Sequence, residues 1–325
     1  MLPVRNGGGC LEEAVNSILG QTFRDLELII VDDHSDDGSI GQLTARDQRL
    51  HVLPAAGRGV SAAFNTGMEQ ARGAFIARMD ADDIALPERL DRQLAYLARN
   101  PEIDICGACV EFFPDGEIAG GNRRYQAWLN RCRSPDEIHR QLFIESPIPN
   151  PTVLFRREAL LRLGGYAHTE WPEDYDLFLR ADGLGMKMGK PQGILLRWRE
   201  HPGRLTHRDA RYLRQQFQRA KAHYLRRDRL QRDRAVVIWG AGPGGRLLHD
   251  LLRAEGVAIE GFLDVHPRRI GGRKRDLPVW PIGELPPARQ SMVLVAVGSA
   301  GARGKIRRYL EAGDRVEGED FLFVA

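Results

Sequence analysis

The chain has 325 residues, enough for two domains that each bury a core. Its make-up, 42% hydrophobic and 28% charged with a formal charge of +3, is that of an ordinary globular protein and is too weakly basic to imply nucleic-acid binding. No apolar stretch approaches the roughly 18 to 20 residues that cross a bilayer, and no signal-peptide pattern opens the chain, so the cytoplasm or its membrane face is the expected location.

Strand-like and helix-like patterns alternate along the whole chain, which predicts an α/β fold with a largely parallel sheet flanked by helices. After an abrupt start at Met1-Leu2-Pro3-Val4, Leu11, Val15, Ile18 and Leu19 recur at helical spacing. The run Glu27 to Val31 reads as a buried strand ending on Asp32-Asp33. A helix over Ser39 to Asp47, a short strand at His51 to Leu53 and a helix from Ser61 to Ala71 are expected next. The strand Ala74 to Met79 then ends on Asp80-Ala81-Asp82-Asp83, and Pro87 opens a further helix.

The run Ile103 to Val110 reads as one strand carrying Cys106 and Cys109. An i, i+3 pair in a strand faces opposite ways, so these two, like Cys10 and Cys132, are expected to be structural rather than metal ligands or a redox pair. Residues 112–151 look irregular. A helix ending at Gly164-Gly165 follows, then another after Trp171-Pro172-Glu173-Asp174.

The two acidic clusters are the most informative feature. Each follows a strand, and ligands of open α/β sheets bind outside the carboxyl ends of strands. Paired carboxylates there suit a hard divalent cation that itself holds a phosphate. The competing reading is that Asp80 to Asp83 only caps the next helix. A second cluster at Asp32-Asp33 favours a site.

The stretches LPVRNGG, LEEAVNSILGQTFRDLELIIVDDHSDDGS, GVSAAFNTGMEQARGAFIARMDADDIALPERL and NPTVLFRREALLRLGGY…WPEDYDLFLR resemble, in that order, the inverting GT-A glycosyltransferases of family 2. The resemblance covers about residues 1–205 and implies a GT-A nucleotide-diphospho-sugar transferase fold. It implies a nucleotide-diphospho-sugar donor bound with Mn²⁺ or Mg²⁺ and a sugar or lipid-linked acceptor, in cell-surface polysaccharide or glycolipid assembly. On this resemblance Pro3, Val4, Arg5, Asn6 and Asp33 hold the base, and Asp80 lies near ribose and diphosphate. Asp82 binds the metal, and Asp174 is the general base beside Glu173 on the donor side; His201 either completes the metal shell or contacts the diphosphate, or is a surface-loop histidine. Glu173 and Asp176 could equally be acids of a helix start. Arg199 and Arg204 are candidate phosphate contacts. The chain departs from the pattern in its short first strand, which is truncated or continues upstream, and in Gly57 and Phe64, where relatives carry Asn and Arg.

From Arg204 to Arg234 arginines crowd a helical segment, including Arg208, Arg211, Arg214, Arg219, Arg226, Arg227, Arg229 and Arg232 with Lys221. It reads as a linker (206–233) between a transferase domain (1–205) and a second α/β domain (234–325). A solvated helix is the plain reading, peripheral contact with anionic lipid the functional one, and nucleic acid is disfavoured. The second domain opens with a strand, then Gly240-x-Gly242-x-x-Gly245, a helix, and Asp264 after a second strand. That pattern predicts a smaller Rossmann-like α/β domain whose turn could hold a nucleotide or only allow close packing. Two rivals to the transferase remain open: an NAD(P)-linked sugar oxidoreductase centred on this turn, and a non-catalytic nucleotide-binding scaffold.

Overall fold

In a computed structural model of the protein, residues 1–118, 120–230, 234–299 and 301–325 are described. The chain divides into two compact units, one of residues 1–139 with 147–212 and the other of 140–146 with 213–325.

In the first unit, strands β1 (Leu2–Val4), β2 (Leu28–Asp32) and β3 (Leu50–Pro54) pair in parallel, β1-β2-β3. The register Val4↔Asp32 and Asp32↔Pro54 brings their carboxyl ends level. Residues 28–31 are all buried, as a parallel strand covered on both faces requires. Helix α1 (Cys10–Leu19) buries Leu11, Ala14, Val15 and Ile18, the i, i+3, i+4, i+7 stripe of an amphipathic helix. Each large member contributes roughly 1.5–3 kcal/mol of burial.

Helix α2 (Val60–Gln70) packs on β1 and β2. Strands β4 (Phe75–Ala77) and β5 (Ile84–Ala85), helix α3 (Arg89–Arg99), and strands β6 (Ile103–Cys106) and β7 (Cys109–Phe113) follow. Helices α4 (Gly120–Arg131) and α5 (Pro135–Gln141), strand β8 (Leu154–Arg156), helices α6 (Arg157–Leu163) and α7 (Glu173–Gly183), strands β9 (Lys187–Gly189) and β10 (Ile194–Arg199) and the short helix α8 (Leu205–Arg208) complete the order. They build a β4-β8-β6-β9 sheet and a β5-β10-β7 sheet, both mixed. Met79 N–H donates to Met1 O at 2.9 Å, so the backbone leading to Asp80 runs beside β1.

The second unit holds helix α9 (Arg214–Tyr224), strand β11 (Ala235–Trp239), helix α10 (Pro243–Ala254), strands β12 (Ile259–Asp264), β13 (Arg273–Lys274), β14 (Leu277–Pro281) and β15 (Ser291–Val295), helix α11 (Ala302–Ala312) and strand β16 (Phe321–Phe323). Its described strands form one sheet, β13-β14-β12-β11-β15-β16, parallel apart from the β13–β14 pair. Val237, Leu263, Val293, Val295, Phe321 and Phe323 form its core with Ile144, which residues 140–146 supply.

The α/β expectation holds, with four local corrections. Ser39 to Asp47 is not a helix: Asp37 Oδ1 accepts both the amide and the hydroxyl of Ser39, and Glu12 accepts both from Thr44. Side-chain acceptors thus compete with the helical ladder. The run Ile103 to Val110 is two strands in different sheets, broken at Gly107-Ala108. A Cβ on Gly107 would lie 2.8 Å from Ile148. The supposedly irregular 112–151 contains α4 and α5. The basic segment is not simply solvated. On α9, Ala220, Lys221 and Ala222 are buried, and Lys221 Nζ donates to Ile144 O at 2.6 Å. Arg232 lies outside the described residues.

Both strand cysteines are buried, and burial pushes the Cys106 thiol up to about 12.

Candidate active site

The carboxyl ends of β1 and β2, the loop after β4, the first turn of α7 and the loop after β10 enclose an open cavity of about 580 Å³ in the first unit. Pro3, Arg5, Asn6, Asp33, Asp80, Asp82, Asp174 and His201 all line it. A larger concavity of about 720 Å³ beside β2 and β4 shares Arg78 with it but none of those eight residues.

At one end of the cavity, Asn6 takes a left-handed backbone (φ 55°) and its Oδ1 accepts the Asp36 amide at 2.9 Å. This ties the loop after β1 to the loop after β2. Asp33, buried, accepts the Gly59 amide at 2.9 Å, and Gly59 at φ 92° holds a conformation that suits glycine. Phe64 faces neither group. It is buried against the rings of Tyr166 and Phe155, so this departure from the family pattern serves the core.

In the middle, Asp80, Asp82 and Asp83 can each present an oxygen within 4.8 Å of the others. Asp82 Oδ2 lies 2.8 Å from His201 Nε2. Asp83 is buried: one oxygen accepts the Arg199 amide at 2.8 Å and the other has no partner among the described residues. Burial first, then Asp82 and Asp80, push the Asp83 carboxyl well above the usual range. Burial also raises Asp80, which Arg78 opposes and Asp82 reinforces. Three crowded carboxylates, one with an orphaned oxygen, fit a divalent cation, which would relieve their repulsion.

At the other end, Asp174 sits in the first turn of α7, where the helix dipole favours an acid. Its Oδ1 accepts the Tyr175 amide at 2.7 Å. Desolvation, then the neighbouring Glu173, push its carboxyl up to about 7, against the pull of Arg78. Glu173 is placed apart from the other expected donor residues. It does not line the cavity; it is buried and accepts the Tyr212 hydroxyl at 2.7 and 2.9 Å, with Arg211 3.9 Å away. A carboxylate so engaged ties the first turn of α7 to the segment after α8.

Arg78, Asn150, Trp198 and Tyr212 also line the cavity, and no pattern in the sequence marked them as site residues. Arg204, a weak candidate there, is fixed by Glu200 at 2.8 Å and stacks 4.5 Å from the Trp198 ring. The aromatic–arginine pairing in RWREHPGR was the available signal. Arg199 instead bonds the Asp82 carbonyl at 2.6 Å and pairs with Glu13.

In the second unit, Gly240 (φ 114°) and Gly242 lead into α10, and a Cβ on Gly245 would lie 1.8 Å from Gly240 O. Close packing of the turn by itself therefore requires glycine at 245. Asp264, at the end of β12, accepts the Ala241 amide at 3.0 Å and the His266 amide at 2.9 Å, and pairs with Arg269 at 3.0 Å.

The comparisons agree with this geometry. Residues 1–164 match the family Glycosyl transferase family 2. The amylovoran biosynthesis glycosyltransferase AmsE of Erwinia amylovora is 31% identical over 193 residues, covering 58% of this chain and 70% of that protein. The O-antigen biosynthesis glycosyltransferase WbnJ of Escherichia coli is 29% identical over 174 residues, covering 51% of this chain but only 64% of its own length. Among solved structures, TarS 1-349 of S. aureus in complex with UDP-GlcNAc superposes with a TM-score of 0.57 at 17% identity, over 79% of this chain and 72% of that one. At that identity the likeness speaks for the fold: the GT-A type of α/β arrangement. On the match across half its length and on its relatives, the chain belongs to glycosyl transferase family 2.

Proposed function

We propose that this protein is an inverting, metal-dependent glycosyltransferase that moves a sugar from a nucleotide-diphospho-sugar to an acceptor hydroxyl, in assembly of a cell-surface polysaccharide or glycolipid. The observation that carries the reading is that Asp174, with a carboxyl near neutrality, shares one cavity with the Asp80–Asp82 cluster. The polysaccharide setting draws on the relatives AmsE and WbnJ.

Pro3, Arg5, Asn6 and Asp33 form the nucleotide end, and Asp80 faces the ribose and diphosphate. Asp82 and His201 would hold Mn²⁺ or Mg²⁺, which when bound offsets charge developing on the leaving diphosphate. Their present mutual contact of 2.8 Å fits two ligands that turn toward a shared ion. Arg204, locked on Trp198 by Glu200, presents a fixed cation toward the same charge.

Asp174 accepts the acceptor's hydroxyl proton as the new C–O bond forms and the bond to the diphosphate breaks. One displacement inverts the anomeric centre. A base must be ionised yet basic, and a carboxyl at about 7 suits that task near neutral pH. Tyr175 N–H orients one Asp174 oxygen and leaves the other for the proton.

The second unit we read as a Rossmann-like structural or regulatory domain. Asp264, engaged by three donors, argues against an NAD(P)-dependent oxidoreductase there.

Transfer assays with UDP-, GDP- and dTDP-sugars test the reading. It predicts a product of inverted anomeric configuration, and for Asp174→Asn loss of transfer with donor binding intact. A retained configuration, or undiminished transfer by the variant, would sink it.

A further inference from the structure

Arg78 follows the last residue of β4, is 4% exposed, and lines the cavity that holds Asp80 and Asp174. Its main chain is fixed on both sides: the amide donates to Val153 O at 2.7 Å, and the carbonyl accepts from Arg89 at 2.6 Å. Its guanidinium touches Asp80 Oδ1 through one nitrogen at 2.9 Å and lies over the Tyr166 ring, 5.4 Å from the centroid. Nε and Nη1 have no hydrogen-bond partner among the described residues. A buried guanidinium that uses so little of its donor fork is costly to keep unless its charge is needed.

The charge has clear recipients. Asp174 is faced by Glu173 on its own helix, by Asp80 and Arg78 from the β4 side, by Tyr166 from the turn after α6 and by Tyr212 from the segment after α8. Among these, Arg78 alone is positive; Arg204 acts on Asp80 and Asp83, and Arg211 lies against Glu173 and Asp209.

We propose that Arg78 is a positioning residue, a buried counter-charge shared by the middle of the site and its Asp174 end, which holds Asp80 by a direct ion pair and favours the ionised form of Asp174 through space. This rests on Asp174 being the base. It explains how one cavity keeps a carboxylate cluster and a basic carboxylate together: both draw on the same cation. Removing it leaves Asp174 among like charges, so its proton is held to higher pH.

The test is the pH profile of kcat/KM for wild type, Arg78→Gln, Arg78→Lys and Asp174→Asn. In Arg78→Gln the acid limb moves up by about one pH unit or more. In Arg78→Lys, which keeps the charge, the limb stays within a few tenths of a unit while the rate falls, because an ammonium loses the planar group that lies on the Tyr166 ring while it holds Asp80. A slower Arg78→Gln enzyme with an unmoved limb, as a merely structural arginine would give, overturns the proposal. Should Arg78→Gln fail to fold, Arg78→Lys decides: a limb displaced by a full unit there contradicts it. Asp174→Asn separates the two readings. Undiminished transfer by that variant sinks the base assignment, whereas its loss together with an unmoved limb in Arg78→Gln sinks only the role of Arg78.

Discussion

Asp80 and Asp83 in one unit and Asp264 in the other lie at or shortly after the carboxyl end of a strand, yet their electrostatics are opposite. Asp264 receives two amides and an arginine, and its carboxyl is held below the usual range. Asp80 and Asp83 are pushed up, Asp83 keeps an oxygen without a partner among the described residues, and an open cavity adjoins them. A satisfied carboxylate stabilises a fold; a crowded, unsatisfied one is free energy set aside for a ligand. On the reading proposed above, the same position at a strand end serves packing in one unit and a metal–nucleotide site in the other.

The largest effect should come from the base. Asp174→Asn is expected to lower transfer by about 10²–10⁴-fold, the usual share of a general base, with nucleotide affinity unchanged in a binding titration. Next comes pH. Because the ionised form of Asp174 is required and its carboxyl lies at about 7, kcat/KM should fall tenfold per pH unit well below that value. A profile flat to pH 5 would remove Asp174 from the reaction.

A smaller effect is expected in the contrasting unit. Asp264→Ala should cost roughly 1–3 kcal/mol in urea unfolding by orphaning buried donors, with transfer unaffected. Its folded carboxyl is depressed, so that stabilisation is present above the unfolded pKa near 4 and is lost as pH falls through the lower folded value. Loss of transfer with stability intact would erase the contrast between the two strand ends. Smallest is the lipid reading of the basic segment: binding to vesicles of anionic over neutral lipid should be weak and abolished by salt, and identical binding to both would end it.

Much of the site was legible because parallel strands announce themselves. Leu28-Ile29-Ile30-Val31 has no polar alternation, so Asp32-Asp33 had to mark its end, and Asp80 to Asp83 after β4 repeated the signal. Gly164-Gly165, both at positive φ, ended α6 as expected. What stayed hidden depends on partners distant in sequence. Glu173 beside Asp174 looked like a donor ligand until Tyr212, 39 residues on, claimed its oxygens. Arg78 in Phe-Ile-Ala-Arg-Met reads as an outward polar residue of a strand, yet Asp80 and the Tyr166 ring enclose it. The Ser39–Asp47 segment has apolar Ile40 and Leu43 at helical spacing, but Asp37 and Glu12 take its donors. Nor does any local pattern assign residues 140–146 to the second unit; Ile144 joins that core, and its carbonyl receives Lys221.

The most direct test of the central claim, that the crowded carboxylates form a metal–nucleotide site, is calorimetric titration of UDP, GDP, dTDP and CDP, each with and without Mn²⁺, into wild type and Asp82→Ala. The account predicts that one nucleotide binds wild type in a metal-dependent manner and that Asp82→Ala loses this affinity. Nucleotide affinity that is unchanged by Mn²⁺ and by the substitution would contradict it.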